Sequence, residues 1–145
     1  TNYGELIKPM IPLSKLKLRT SEGVVYQVAD LKERWALLYV VPGHCQDVCL
    51  DRLHQVQQMQ IALGKYQGHL LKFAVIQRTD QFAFLKQKKL DAGAILYSPS
   101  SYVKAGYLYL LDPLGNTMMR YHPDANGMKM LKDIKHLIKL STQAR

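Results

Sequence analysis

The spacing of apolar residues changes along the chain, and each change predicts an element. Trp35 to Val41, reading WALLYVV, is an unbroken apolar run, which suits a strand buried on both faces of a parallel sheet. After Pro42-Gly43 the spacing lengthens to three and four. Leu50, Leu53, Val56, Met59 and Leu63 then fall on one stripe with Gln55, Gln57 and Gln58 between them, which predicts an amphipathic helix closed by Gly64 and Gly68. Leu70 to Gln77, LLKFAVIQ, is a second buried strand. Strand, helix, strand in this order gives parallel strands joined by a right-handed crossover.

The flanks are less regular. The first nineteen residues carry Pro9 and Pro12 and no clear period, so 1–19 is expected to be an extended arm on a domain surface. Gly23 to Val28, GVVYQV, predicts a further strand. Asp80 offers an N-cap for a short helix from Gln81 to Leu90. A looser passage with Pro99 and Gly106 follows. Tyr107–Leu111 and Thr117–Tyr121 flank an Asp-Pro-Leu-Gly-Asn turn, which is a hairpin signal. From about Asn126 to Leu140 an amphipathic helix sets Leu131, Ile134, Leu137 and Ile138 opposite Lys129, Lys132, His136 and Lys139. The order β, β, α, β, α, β, β, α predicts an α/β fold: a mixed sheet with helices on both faces. That is the element order of a thioredoxin-like domain over 20–145 with an N-terminal extension.

Composition narrows the class. A chain of 145 residues fits one domain, and 48% hydrophobic with 21% charged residues excludes a disordered tail or a disulfide-rich miniprotein. Lys plus Arg exceed Asp plus Glu by 20 to 11, a net charge of +9 that favours an anionic neighbour. The charges are dispersed and no basic stripe is interleaved with aromatics, so no nucleic-acid partner is expected. No apolar run is long enough to span a bilayer. The chain begins at Thr1 without an initiator Met, which prompts the expectation of a membrane anchor in a removed N-terminal piece.

The only two cysteines, Cys45 and Cys49, stand where the first apolar run gives way to helical spacing. Cys45 falls in the loop and Cys49 in the first helical turn, where unpaired backbone N–H groups favour a thiolate. A redox pair, metal ligands, a structural disulfide and coincidence are all open. A bridge four residues apart is feasible if the Cα atoms lie within about 7 Å. So small a loop stabilises a fold only modestly. Two thiolates do not complete a zinc tetrahedron or an iron–sulfur cluster. The histidines available to supplement them are His44, His54, His69, His122 and His136; His44 adjoins Cys45 and His122 follows the hairpin.

The stretch LLYVVPGHCQDVCLDRL resembles the SCO/SenC family of thioredoxin-like proteins. That family carries Cys-x-x-x-Cys at the same turn, often as Thr-His-Cys-Pro-Asp-x-Cys. His44, Cys45, Asp47 and Cys49 match, while Gly43 and Gln46 replace the Thr and Pro. YLYLLDPLGN is similar to the family's strand and Asp-Pro-x-Gly turn. The resemblance implies a monomer at the periplasmic face of a bacterial inner membrane, acting in cytochrome c oxidase maturation on an oxidase subunit or assembly factor. It also implies copper held by the two cysteines and a distant histidine. Counting back from Pro113 puts Lys104 at that histidine's place, and a protonated ammonium has no lone pair for a metal. Lys104 is instead expected to act electrostatically, holding Cys45 or Cys49 as thiolate. Gly106 falls where many thioredoxin-like proteins have a cis-proline. The leading expectation is thiol–disulfide exchange with Cys45 as nucleophile and Cys49 as resolving thiol, requiring no cofactor. The alternatives are a copper(I) carrier using Cys45 and Cys49, with His122 as a third ligand, or a non-catalytic interaction domain.

Overall fold

The two apolar runs form the middle of a six-stranded sheet. In the computed structural model, which describes residues 2–143, strand β2 (Trp35–Val40) pairs in parallel with β3 (Leu70–Ile76), from Trp35 opposite Leu70 to Val40 opposite Val75. The remaining strands are β1 (Glu5–Pro12), β4 (Ile95–Tyr97), β5 (Leu108–Leu111) and β6 (Asn116–Tyr121), in the order β1-β6-β5-β2-β3-β4. β4 is parallel to β3; β5 and β6 form the expected antiparallel hairpin, and β1 adds antiparallel to β6. The α-helices are α1 (Asp47–Ala62), α2 (Gln81–Gln87) and α3 (Gly127–Gln143). This is the mixed, helix-flanked α/β architecture that the element order predicts.

Every residue of β2 is buried, because alternate side chains enter two cores. Leu37 and Tyr39 pack with Val56 and Met59 of α1, Leu85 of α2, and Ile134 and Ile138 of α3. All three α-helices thus contribute to one face, where the sequence pattern suggested α-helices on both. On the other face Ala36, Leu38, Val40, Phe73 and Val75 meet Leu13, Leu16, Leu18 and Leu31 from the N-terminal segment. Each of those four leucines is at most 2% exposed. Burying a leucine side chain contributes about 1.5–3 kcal/mol, so together they rival the net stability of a typical domain. The N-terminal segment therefore belongs to the fold. It supplies β1 at one edge of the sheet, and Arg19 exchanges backbone hydrogen bonds with Tyr97 at the other.

Two local expectations change. Residues 23–28 make no strand; Val24 and Val25 are 61% and 48% exposed, and 3-10 turns at Leu13–Leu16 and Val28–Leu31 provide the cover. Asp80 does not cap α2 with its side chain, which pairs with Arg78 at 3.2 Å. The β5–β6 turn is fixed by Asp112, whose carboxylate oxygen accepts the N–H groups of Leu114 and Asn116, both at 3.0 Å. No helix of the described residues is long and apolar enough to cross a membrane.

Candidate functional site

β2 ends at Val40 and α1 begins at Asp47, so the intervening loop lies at the carboxyl end of a central parallel strand. Open α/β sheets commonly place their chemistry there. Cys45 and Cys49 are joined in a disulfide, with Cα atoms 5.0 Å apart. Their exposure is unequal: Cys49 is only 3% exposed and packs in the core, while Cys45 is partly exposed. Only Cys45 is presented to an incoming group. Gln46, the residue preceding α1, makes no side-chain cap, so the first-turn amides have no side-chain acceptor. Released sulfur at this point would meet that positive helix end, which stabilises a thiolate.

The loop is held by two side chains that follow β3. Gln81, 7% exposed, donates its Nε2–H to the Pro42 carbonyl at 2.8 Å while its Oε1 accepts the N–H groups of Gln77 and Arg78, each at 3.3 Å. Arg78 donates Nη2–H to the Gly43 carbonyl at 3.2 Å. Gln77 in turn donates to the carbonyl of Val103 at 3.2 Å, tying in the segment before β5. The sequence pattern did not single out Gln77, Arg78 or Gln81. They are ordinary polar residues after a strand, and only the long-range pairing gives them their role.

Lys104 stands in a turn attached to β2. The Tyr107 N–H donates to the Lys104 carbonyl at 3.2 Å, the Gly106 N–H to the Val40 carbonyl at 2.7 Å, and the Val40 N–H to the Tyr107 carbonyl at 3.0 Å. The Lys104 N–H is received by the Tyr109 hydroxyl at 2.9 Å, and its side chain is exposed and forms no ion pair among the described residues. Gly106 has φ +85°, and a Cβ there would lie 3.2 Å from Pro123 Cγ, so this position suits glycine on both counts.

His122 is exposed, its ring 5.1 Å from that of Tyr107. The loop after it is fastened to α1 by Arg52, which donates Nη2–H to the carbonyls of Pro123 and Ala125 at 2.7 and 2.8 Å. Burial pushes the Arg52 guanidinium down and the nearby Tyr39 hydroxyl up, and their mutual attraction opposes both shifts. Among the described residues no three or more His, Cys, Asp and Glu side chains form a metal-holding group. His122 and the two sulfurs are therefore not assembled as a ligand set. His44, His54 and His136 are exposed, and His69 sits 6.3 Å from the Tyr66 ring.

A six-stranded mixed sheet with a Cys-x-x-x-Cys disulfide at the strand-to-helix junction defines a thioredoxin-like protein. A family model described as "Transmembrane-like, thioredoxin-like, C-terminal domain" matches residues 35–141, and the chain belongs to that family. No curated protein matches the sequence. Among solved structures, copper-bound ScoI of Arabidopsis thaliana is similar with a TM-score of 0.64 at 14% identity, over 94% of this chain and 98% of that one. Copper-bound yeast Sco1 gives 0.61 at 17%, over 96% and 94%. BsSco, described as a Sco-family cytochrome c oxidase assembly protein with a disulfide switch, gives 0.59 at 13%, over 97% of each chain. At these identities the likeness is one of fold, and it agrees with the fold that the SCO/SenC resemblance implies.

Proposed function

We propose that this chain is a Sco-like thiol–disulfide exchange protein acting outside the cytoplasm in cytochrome c oxidase maturation. The observation that carries the reading is the asymmetric pair: a partly exposed Cys45 bonded to a buried Cys49 at the start of α1. In the reduced form the Cys45 thiolate attacks a partner disulfide, forming a mixed disulfide and releasing one partner thiolate. The Cys49 thiolate then attacks the Cys45 sulfur and releases the second partner sulfur. Two electrons pass to the partner and the Cys45–Cys49 bond is restored. The reverse sequence oxidises a dithiol partner, with Cys49 as the leaving thiolate. BsSco, a solved structure of similar fold, is described as a member of a family of cytochrome c oxidase assembly proteins, and that supports the choice of pathway.

Copper is the cargo in the second reading, favoured by the copper-bound structures that share the fold. The residues present do not fit a three-ligand site, since Lys104 replaces the expected histidine and no three-donor group exists among the described residues. Two thiolates alone suit linear copper(I).

Trapping separates the readings. Cys49→Ser should hold a partner on Cys45 as a stable mixed disulfide, whereas Cys45→Ser should hold none. Equal trapping by both variants, or by neither, removes the exchange mechanism. Stoichiometric copper(I) binding without exchange would select the carrier.

A further inference from the structure

A cavity of about 220 Å³ opens on the helix-covered face between α1, β3 and the end of α2. Leu50 and Leu53 of α1 and Leu90 just beyond α2 form its apolar wall. The remaining character is cationic. Lys72 of β3 and Lys88 and Lys89 at the end of α2 line it, and no Asp or Glu does so among the described residues. Lys72 is partly buried, and burial pushes its ammonium down in pKa. Its hydrogen bond goes to Gln60 Oε1, a neutral acceptor, and it has no ion pair among the described residues. A desolvated cation without a counter-charge is costly. Tyr39 of β2 also lines the cavity; it is 3% exposed and its hydroxyl makes no hydrogen bond among the described residues.

We propose that this cavity binds a short amphipathic anion, an aliphatic carboxylate of up to about eight carbons. Its tail would lie against Leu50, Leu53 and Leu90. Its carboxylate would take hydrogen bonds from the Lys72 and Lys89 ammonium groups and the Tyr39 hydroxyl. Pockets for drug-sized ligands generally run from about 300 to 1,000 Å³, so the smaller volume here sets the short length. The site is distinct from the disulfide, and nothing in it depends on exchange chemistry.

The end of α2 supplies a discriminating variant. Lys89 N–H bonds the Lys86 carbonyl at 3.0 Å and Leu90 N–H bonds the Leu85 carbonyl at 3.2 Å, with Lys89 at φ 67°. Glycine is the usual residue at such a helix end. Lys17 and Lys32 close 3-10 turns with similar φ, so the conformation itself signals no function. Lys89→Gly, however, relieves the backbone while removing a cation from the cavity.

Octanoate is the probe, titrated into the oxidised full chain and followed by amide NMR, with 1-octanol as the neutral control. Saturable shifts centred on Leu53, Lys72 and Leu90 are expected, with octanol about tenfold weaker and octanoate weakened by about 0.5 M salt. Lys89→Gly should raise the urea midpoint yet weaken octanoate about threefold or more, and Lys72→Gln should weaken it likewise. Equal binding of octanol and octanoate, unchanged binding in both variants, or no saturable shift up to about 10 mM octanoate overturns the proposal.

Discussion

The Tyr121 hydroxyl on β6 donates to an Asp133 carboxylate oxygen on α3 at 3.0 Å, inside the core. The same carboxylate accepts the Tyr3 N–H at 2.9 Å and the Gly4 N–H at 2.8 Å. One buried acid thus fastens the start of β1, the hairpin and the closing helix. Asp133→Asn should cost about 2 kcal/mol, because a neutral amide with one acceptor oxygen replaces a charged group with two, and Tyr121→Phe about 1 kcal/mol. Urea denaturation reads both losses, and faster hydrogen exchange at Tyr3 and Gly4 marks the asparagine variant.

The same pair sets an alkaline dependence. Burial first, then the Asp133 charge and hydrogen bond, raise the Tyr121 pKa well above the ordinary value near 10. The folded chain therefore keeps a proton that the unfolded chain releases. Stability from this group is complete below about pH 9 and declines as pH rises beyond about 10. Burial also raises Tyr26, Tyr39 and Tyr109, so part of the decline will persist without Tyr121. Urea midpoints across this range should fall less steeply for Tyr121→Phe than for the parent chain.

Reduction of Cys45–Cys49 should leave the fold standing. The bridge closes a loop with a sequence separation of 4, and chain-entropy reasoning gives so short a loop about 2 kcal/mol. Both cores lie on elements that do not need the bond. Circular dichroism should be nearly unchanged after reduction, with a modestly lower urea midpoint. Unfolding on reduction would assign the bridge a structural role.

Gln81 is the buried tie between the disulfide loop and the start of α2. Gln81→Leu removes its hydrogen bonds to Pro42, Gln77 and Arg78 and leaves those backbone groups to seek other partners. A loss of about 1–3 kcal/mol is expected, with faster reduction of the disulfide by dithiothreitol as the loop loosens. Equal reduction rates would show that the loop is held without it.

Two cations stand near the carboxyl end of β2, and they should differ in effect. Arg78 is hydrogen-bonded to the loop at Gly43, whereas Lys104 is exposed, and any effect of its charge would pass through solvent. At about 0.15 M salt the screening length is about 8 Å. Alkylation of reduced Cys45 by iodoacetamide should therefore slow more in Arg78→Gln than in Lys104→Gln. The opposite order would favour Lys104 as the electrostatic partner of Cys45.

The strand–helix–strand unit and the hairpin were legible because their apolar periods are long and their turn residues distinctive. α1 begins at Asp47, as the change of spacing after Gly43 implies. β4 was not legible: a strand as short as Ile95–Tyr97 exists only by pairing with β3. β1 was hidden by its two prolines, and its membership of the sheet depends on β6, more than a hundred residues away in sequence. GVVYQV has strand composition, but the face it would need is already covered by Leu13, Leu16, Leu18 and Leu31. At the site, sequence disclosed the sulfurs and their helix but not their unequal exposure. That difference arises because Cys49 lies on the inward face of α1 with Val56 and Met59, whereas Cys45 precedes the helix in the loop.

Both flanks of the sheet are poorly suited to a visiting polypeptide. β4 is already occupied by Arg19, and β1 offers a broken register between Leu6 and Ile11 with Pro9 and Pro12 withholding their amides. Pairing along either flank is therefore disfavoured, and Cys45 lies at the end of the sheet instead.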